Sequence, residues 1–143
     1  MINIDFQQYE IIINVKEEKD IILARQSIKH FCQKLGFSLS DITKISTSIS
    51  ELARNIFRYA KTGSILAKKL IDENNNEFLE IVAIDNGPGI SDIDKATTSG
   101  FTTTETSLGL GLSGVKRLMD YFYIDSEKDK GTIVIIQKRR RKF

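Results

Sequence analysis

Ile49-Ser50-Glu51-Leu52-Ala53-Arg54-Asn55-Ile56-Phe57-Arg58-Tyr59-Ala60 carries two messages in one repeat. Ile49, Leu52, Ala53, Ile56, Phe57 and Ala60 return at the three-and-four spacing of an α-helix and extend the stripe begun by Ile42 and Ile45. A helix is therefore expected from about Asp41 to Ala60, with Ser40 as its N-cap. Glu51 and Asn55 are four apart, so they stack on one face, and the 3.6-residue period sets that face away from the apolar stripe. A carboxylate with a carboxamide one turn later offers two hard oxygens of the kind magnesium takes when it also holds phosphates and water. A solvated face carrying Glu and Asn by chance is the competing reading.

Upstream, Ile11, Ile13 and Val15 alternate within Tyr9 to Val15, the period of a strand. Ile21, Ala24, Ile28, Phe31, Cys32 and Leu35 then recur at helical spacing, with Asp20 as the expected cap and Gly36 as the stop. Downstream, Ser64 to Ile71 and Phe78 to Ile84 read as strands joined by the polar turn Asp72-Glu73-Asn74-Asn75-Asn76. A short helix over about Leu112 to Tyr121 precedes a second hairpin, Tyr123 to Ser126 and Thr132 to Gln137, turning through Asp129-Lys130-Gly131. The order βααββ, loop, αββ predicts an α+β two-layer sandwich: an antiparallel (or mixed) sheet backed by helices.

The 143 residues, 16.2 kDa, suit one domain with one core, expected to span 1–143. A formal net charge of +2 provides no basic field that would commit the chain to nucleic acid. One cysteine, Cys32, excludes an internal disulfide framework and suits a reducing compartment. A single histidine, His30, argues against a zinc cluster. No long apolar run is present, so neither a membrane span nor a secretory signal is expected, and the expected location is the cytoplasm. The chemistry has to come from carboxylates, amides, glycines and hydroxyls.

Six of the nine glycines, with the only proline, crowd into one stretch: Gly87, Gly89, Gly100, Gly109, Gly111 and Gly114, with Pro88. Asp85-Asn86-Gly87-Pro88-Gly89 follows an apolar strand. An acceptor-only carboxylate at a strand end suits an exocyclic amine such as adenine's, and the glycines let a flat ring approach the backbone. A plain β-turn is the alternative. Ser107-Leu108-Gly109-Leu110-Gly111-Leu112-Ser113-Gly114 runs into a helix, where free N–H groups and the dipole attract anions; a flexible loop is the alternative. No Gly-Lys-Ser/Thr follows, so this is not a Walker loop. No βαβ unit contains it, so it is not a Rossmann fingerprint.

Taken together, in this order and spacing, the three segments resemble the ATP-binding domain shared by gyrase, a heat-shock chaperone, histidine kinases and mismatch-repair MutL, the GHKL superfamily with its Bergerat-type fold. The resemblance runs from about residue 10 to residue 137, where Gly131-Thr132 matches a closing Gly-Thr. Through Ile49 to Ile56 and Gly114-Val115-Lys116-Arg117-Leu118-Met119-Asp120 it is similar to the small anti-sigma-factor-type serine/threonine kinases, closest to the RsbT-type switch kinases of the stressosome. That resemblance implies ATP and Mg2+ as cofactors. Asn55 would coordinate the metal, and Asp85 would read adenine with support from Thr132. Gly87 and Gly89 would shape the base pocket, with Ile90 also contacting nucleotide, and Gly109, Leu110, Gly111 and Leu112 would offer backbone to the phosphates. Glu51 would be the general base, and a lid over about 91–108 would close on the ligand.

Arg58 stands where histidine kinases carry a lysine, as a phosphate contact or a solvated side chain. His30 lies outside any phosphoacceptor-type helix, so histidine phosphorylation is disfavoured. With no second domain expected to transmit lid closure, gyrase-like and chaperone-like roles are disfavoured too. The implied partners are a STAS-domain protein substrate and a downstream phosphatase, with no nucleic acid or membrane. The alternative is a binding module that sequesters a sigma factor or similar regulator, ATP being a structural ligand. The basic tail 138–143, with Lys138-Arg139-Arg140-Arg141-Lys142, is read as a solvated terminus or a partner contact.

Overall fold

The computed structural model describes residues 1–90, 93, 97 and 111–141. Five strands form one sheet in the order β1-β2-β3-β5-β4: β1 Ile11–Val15, β2 Gly63–Ile71, β3 Glu77–Asp85, β4 Tyr121–Glu127 and β5 Gly131–Arg139. Every pairing is antiparallel. Helices α1 Lys19–Leu35, α2 Leu39–Asn55 and α3 Gly111–Leu118 cover one face. The α+β sandwich expected from the element order is the fold observed.

The core is where the two periods meet. Ile28 of α1 and Ile45, Ile49 and Leu52 of α2 pack against Ile65, Ile81, Val134 and Ile136 of the sheet, all essentially buried. Each such side chain contributes about 1.5–3 kcal/mol relative to exposure. Burial lifts the thiol of Cys32 up to about 12, so it packs as a small apolar group. The far face of the sheet is partly covered as well: Ile4, Phe6 and Tyr9 of the N-terminal segment pack on Leu66, Val82 and Ile133.

Local chemistry moves two helix starts. Asp20 lies inside α1 and reaches back to accept the N–H groups of Lys16 and Glu17, both at 2.9 Å, closing the turn that leads into the helix. Ser38, not Ser40, caps α2: its backbone is extended and its hydroxyl accepts the Asp41 N–H at 3.1 Å. Gly36 ends α1 at φ 84°, in the left-handed region that glycine takes without steric cost.

The basic tail also differs from its expectation. Lys138 and Arg139 belong to β5. Lys138 continues the inward alternation of Val134 and Ile136, is 3% exposed, and donates to the Leu118 carbonyl at 2.9 Å, with Asp120 at 3.6 Å and Asp41 at 3.9 Å. Arg140 pairs with Glu77. The start of this run is therefore a buried staple between α2, α3 and the sheet, because a lysine on the inner face of a strand needs anionic and carbonyl partners. Lys142 and Phe143 lie outside the described residues.

Candidate functional site

Two clusters sit where helices meet strand ends. The first is built on β3, the central strand. Its last residue, Asp85, is flanked in register by Gly63 of β2 and Thr132 of β5. The half-buried carboxylate accepts the Gly87 N–H through Oδ1 at 2.9 Å. Burial raises its pKa above the ordinary carboxylate range, while the backbone N–H groups of Gly87 and Thr132 pull the other way.

The loop after Asp85 is fastened on both sides. A Cβ on Gly87 would lie 2.6 Å from the Ala60 Cβ and 2.8 Å from its Cα, so only glycine lets the loop rest on the end of the α2 extension. Gly89, at φ 79°, lies against the Glu127 carbonyl. The Ile90 N–H donates to the Ser126 hydroxyl at 2.7 Å, and that hydroxyl pairs with Thr132 Oγ1 at 2.8 Å. Asp129 N–H donates to the Pro88 carbonyl at 2.8 Å. Asp85, Gly87, Gly89, Ile90 and Thr132, which the resemblance groups together, thus lie together against the β4–β5 hairpin through hydrogen bonds and the close contact at Gly89. Ser126 was not among the expected residues. The hairpin turn at 129–131 holds the signal that finds it, since it sets residue 126 opposite residue 132.

The second cluster joins α2 to α3. Glu51 is 3% exposed, which overturns the expectation of a position free of packing. Its face is off the stripe that meets the sheet, but α3 packs there. Arg54 Nη1 donates to Glu51 Oε2 at 3.0 Å, and the Gly111 N–H donates to Oε1 at 3.2 Å. Gly111 opens α3, so the carboxylate sits at the positive end of that helix. Leu112, next in line, is buried in the core.

Asn55 ends α2, and Ile56–Ala60 continues as a π-turn that contains Arg58. Both side chains are half-buried. Such a turn inserts extra backbone into the helix and redirects the residues after it, and it recurs at functional positions. Nothing in the apolar spacing announced it. Gly109, Leu110 and the expected lid at 91–108 lie outside the described residues, apart from Ile93 and Thr97.

Both clusters suit a nucleotide by the chemistry of their donors. Asp85 is acceptor-only and still has lone pairs beyond those given to the Gly87 and Thr132 N–H groups. Asn55 presents a carboxamide beside the α2–α3 junction. Among the described residues no group of three or more His, Cys, Asp and Glu could hold a metal. No helix among these residues is long and apolar enough to cross a membrane.

Residues 15–138 match the histidine kinase-like ATPase domain, and the chain belongs to that family. Within it, the chain groups with serine/threonine-protein kinases and anti-sigma factors. It is 45% identical over 120 residues to the serine/threonine-protein kinase RsbT of Bacillus subtilis, covering 84% of this chain and 89% of that one. It is 33% identical over 120 residues to an anti-sigma F factor of a Thermoanaerobacter species, covering 80% and 82%. Among solved structures, the RsbU and RsbW domains of a Mycobacterium tuberculosis protein superpose with a TM-score of 0.59 at 15% identity, over 92% of this chain and 33% of that longer one. This last likeness is one of fold.

Proposed function

We propose that the protein is an ATP-dependent serine/threonine kinase that phosphorylates a STAS-type antagonist or scaffold protein in a partner-switching stress pathway. The observation that carries this reading is the junction of Glu51 with Gly111, which joins two segments sixty residues apart into one site at 3.2 Å. Asp85 takes the adenine amine, and Thr132 holds the neighbouring hydrogen bonds through Ser126. The first turn of α3 receives phosphate oxygens at its backbone N–H groups. Asn55 would hold magnesium, which would supply charge neutralisation at the phosphates, and Arg58 lies near enough in sequence to add a second cationic contact.

Glu51 accepts the proton of the partner's Ser or Thr hydroxyl as its oxygen bonds to the γ-phosphorus and the bond to ADP breaks. A freed kinase of this type would then be available to a downstream phosphatase. The test is single-turnover transfer from labelled ATP to purified STAS-domain proteins; no label on any of them, with ATP bound, would overturn the kinase reading. The metal assignment has its own check. Asn55→Ala should abolish Mg-dependent ATP binding in calorimetry while leaving the fold intact, and undiminished Mg-ATP affinity would remove it.

The 33% identity to an anti-sigma F factor favours a second reading, in which the domain sequesters a sigma factor and ATP sets the affinity. Sigma-factor capture that depends on ATP would support it.

A further inference from the structure

Both oxygens of the Glu51 carboxylate are engaged: Oε2 by Arg54 Nη1 at 3.0 Å, and Oε1 by the Gly111 N–H at 3.2 Å. An N–H has one proton to donate. A phosphate oxygen that takes the Gly111 N–H competes for that proton, and two anions at that spacing repel each other. The other end of the contact is less constrained. Arg54 is 31% exposed and Glu51 3%, so the guanidinium fixes the carboxylate from the open side of the site while the carboxylate stays shielded. A guanidinium has five N–H donors, of which this pair uses one.

We propose that Arg54, Glu51 and Gly111 form a clasp in which Arg54 is a positioning residue. Its guanidinium keeps hold of Oε2 throughout; in the nucleotide-free protein Oε1 rests on the N-terminus of α3, and the phosphate tail frees Oε1 toward the acceptor hydroxyl by taking over the Gly111 N–H. The inference rests on the reading of Glu51 as proton acceptor and Gly111 as phosphate donor. It couples the two: the base becomes available when the phosphates are in place, so proton abstraction is withheld while the site is empty.

The experiment compares a non-hydrolysable ATP analogue with adenosine, which has no phosphate to compete. In Glu51→Ala, calorimetry should show the analogue bound about 10–100-fold tighter, the scale of one competing charged hydrogen bond removed, with adenosine affinity unchanged. If the analogue is unchanged, or both ligands weaken together, the carboxylate is only a prop for α3 and the clasp is overturned.

Arg54 is tested separately, by transfer at saturating ATP and partner. Arg54→Ala should lower kcat about 10-fold or more with adenosine affinity unchanged, and Arg54→Lys, which keeps a cationic donor, should restore most of it. No loss in Arg54→Ala, or equal loss in both variants, overturns the positioning role. A parent enzyme indifferent to Glu51→Gln would instead sink the general-base reading itself. That outcome is separate from a Glu51-dependent enzyme indifferent to Arg54.

Discussion

The two ends of the site, proposed for the base and for the phosphates, are built by opposite means. At the base end, Asp85 stands in the middle of a five-stranded sheet, and the loop after it is fixed by backbone: Gly87 on Ala60, Gly89 under Glu127, Ile90 and Pro88 on the β4–β5 hairpin. At the phosphate end, the last turns of α2 meet the start of α3, and the hydrogen bond that joins them at Glu51 runs from the Gly111 N–H to the carboxylate. A sheet end holds its geometry without the ligand. A carboxylate resting on a helix N-terminus can be exchanged for another anion. The contrast suits the proposed task, in which the adenine would be bound without reacting and the phosphates would be received, transferred and released.

The contrast is tested most severely at Glu51. Glu51→Gln keeps the size and a hydrogen-bond acceptor but cannot take up a proton. Phosphotransfer should fall by about 10²–10⁴ with ATP affinity within a few-fold, the usual worth of a positioned base. Because phosphoryl transfer leans on positioning and charge, the low end of that span is still consistent. Single-turnover transfer at saturating ATP and partner reads it, and an unchanged rate would remove the base.

Asp85→Asn comes next. An amide can face the adenine amine with a donor, so ATP should weaken about 10–100-fold, the value of one charge-assisted hydrogen bond. The same variant should raise the Tm of the nucleotide-free protein at neutral pH. The sign follows from burial: a carboxyl whose folded pKa is raised is penalised when ionised, so its contribution to stability is best below its unfolded pKa and is lost as pH rises through the raised folded value. ATP affinity should fall on acidification through that same raised value, as the carboxylate takes a proton and stops accepting the amine's. A Tm that drops, or equal affinity of the parent for ATP and GTP, would deny Asp85 this role.

How far the sequence could be read follows the same division. Element order, the antiparallel sheet and the Asp85 loop were legible because period-2 alternation and glycine positions are local signals. The burial of Glu51 was not. Its helix face is polar by spacing, and what covers it is α3, which begins sixty residues later. The π-turn after Asn55 leaves the apolar spacing intact through Ala60 and so gave no sign. Lys138 was misread for a simpler reason: a run of five basic residues drew the eye as composition, while the alternation Val134, Ile136, Lys138 continued underneath it.

The mildest test asks whether the base end is as self-sufficient as its backbone suggests. Ser126 is the side chain that joins Ile90 to Thr132, with oxygen contacts of 2.7 and 2.8 Å, and its hydroxyl also lies 3.0 Å from the Gly131 carbonyl. Ser126→Ala leaves the half-buried Ile90 N–H without this acceptor, which costs about 1–3 kcal/mol if no water replaces it. Thermal unfolding should register that loss directly. ATP affinity should fall less than about 10-fold, because Gly87 and Gly89 still pin the loop by contact and Asp85 keeps its place in the ladder. Transfer at saturating ATP should be unaffected, since no group at the phosphate end has moved. If Ser126→Ala instead weakens ATP as much as Asp85→Asn does, the loop geometry depends on one hydroxyl, and the base end is then no more self-supporting than the clasp at Glu51.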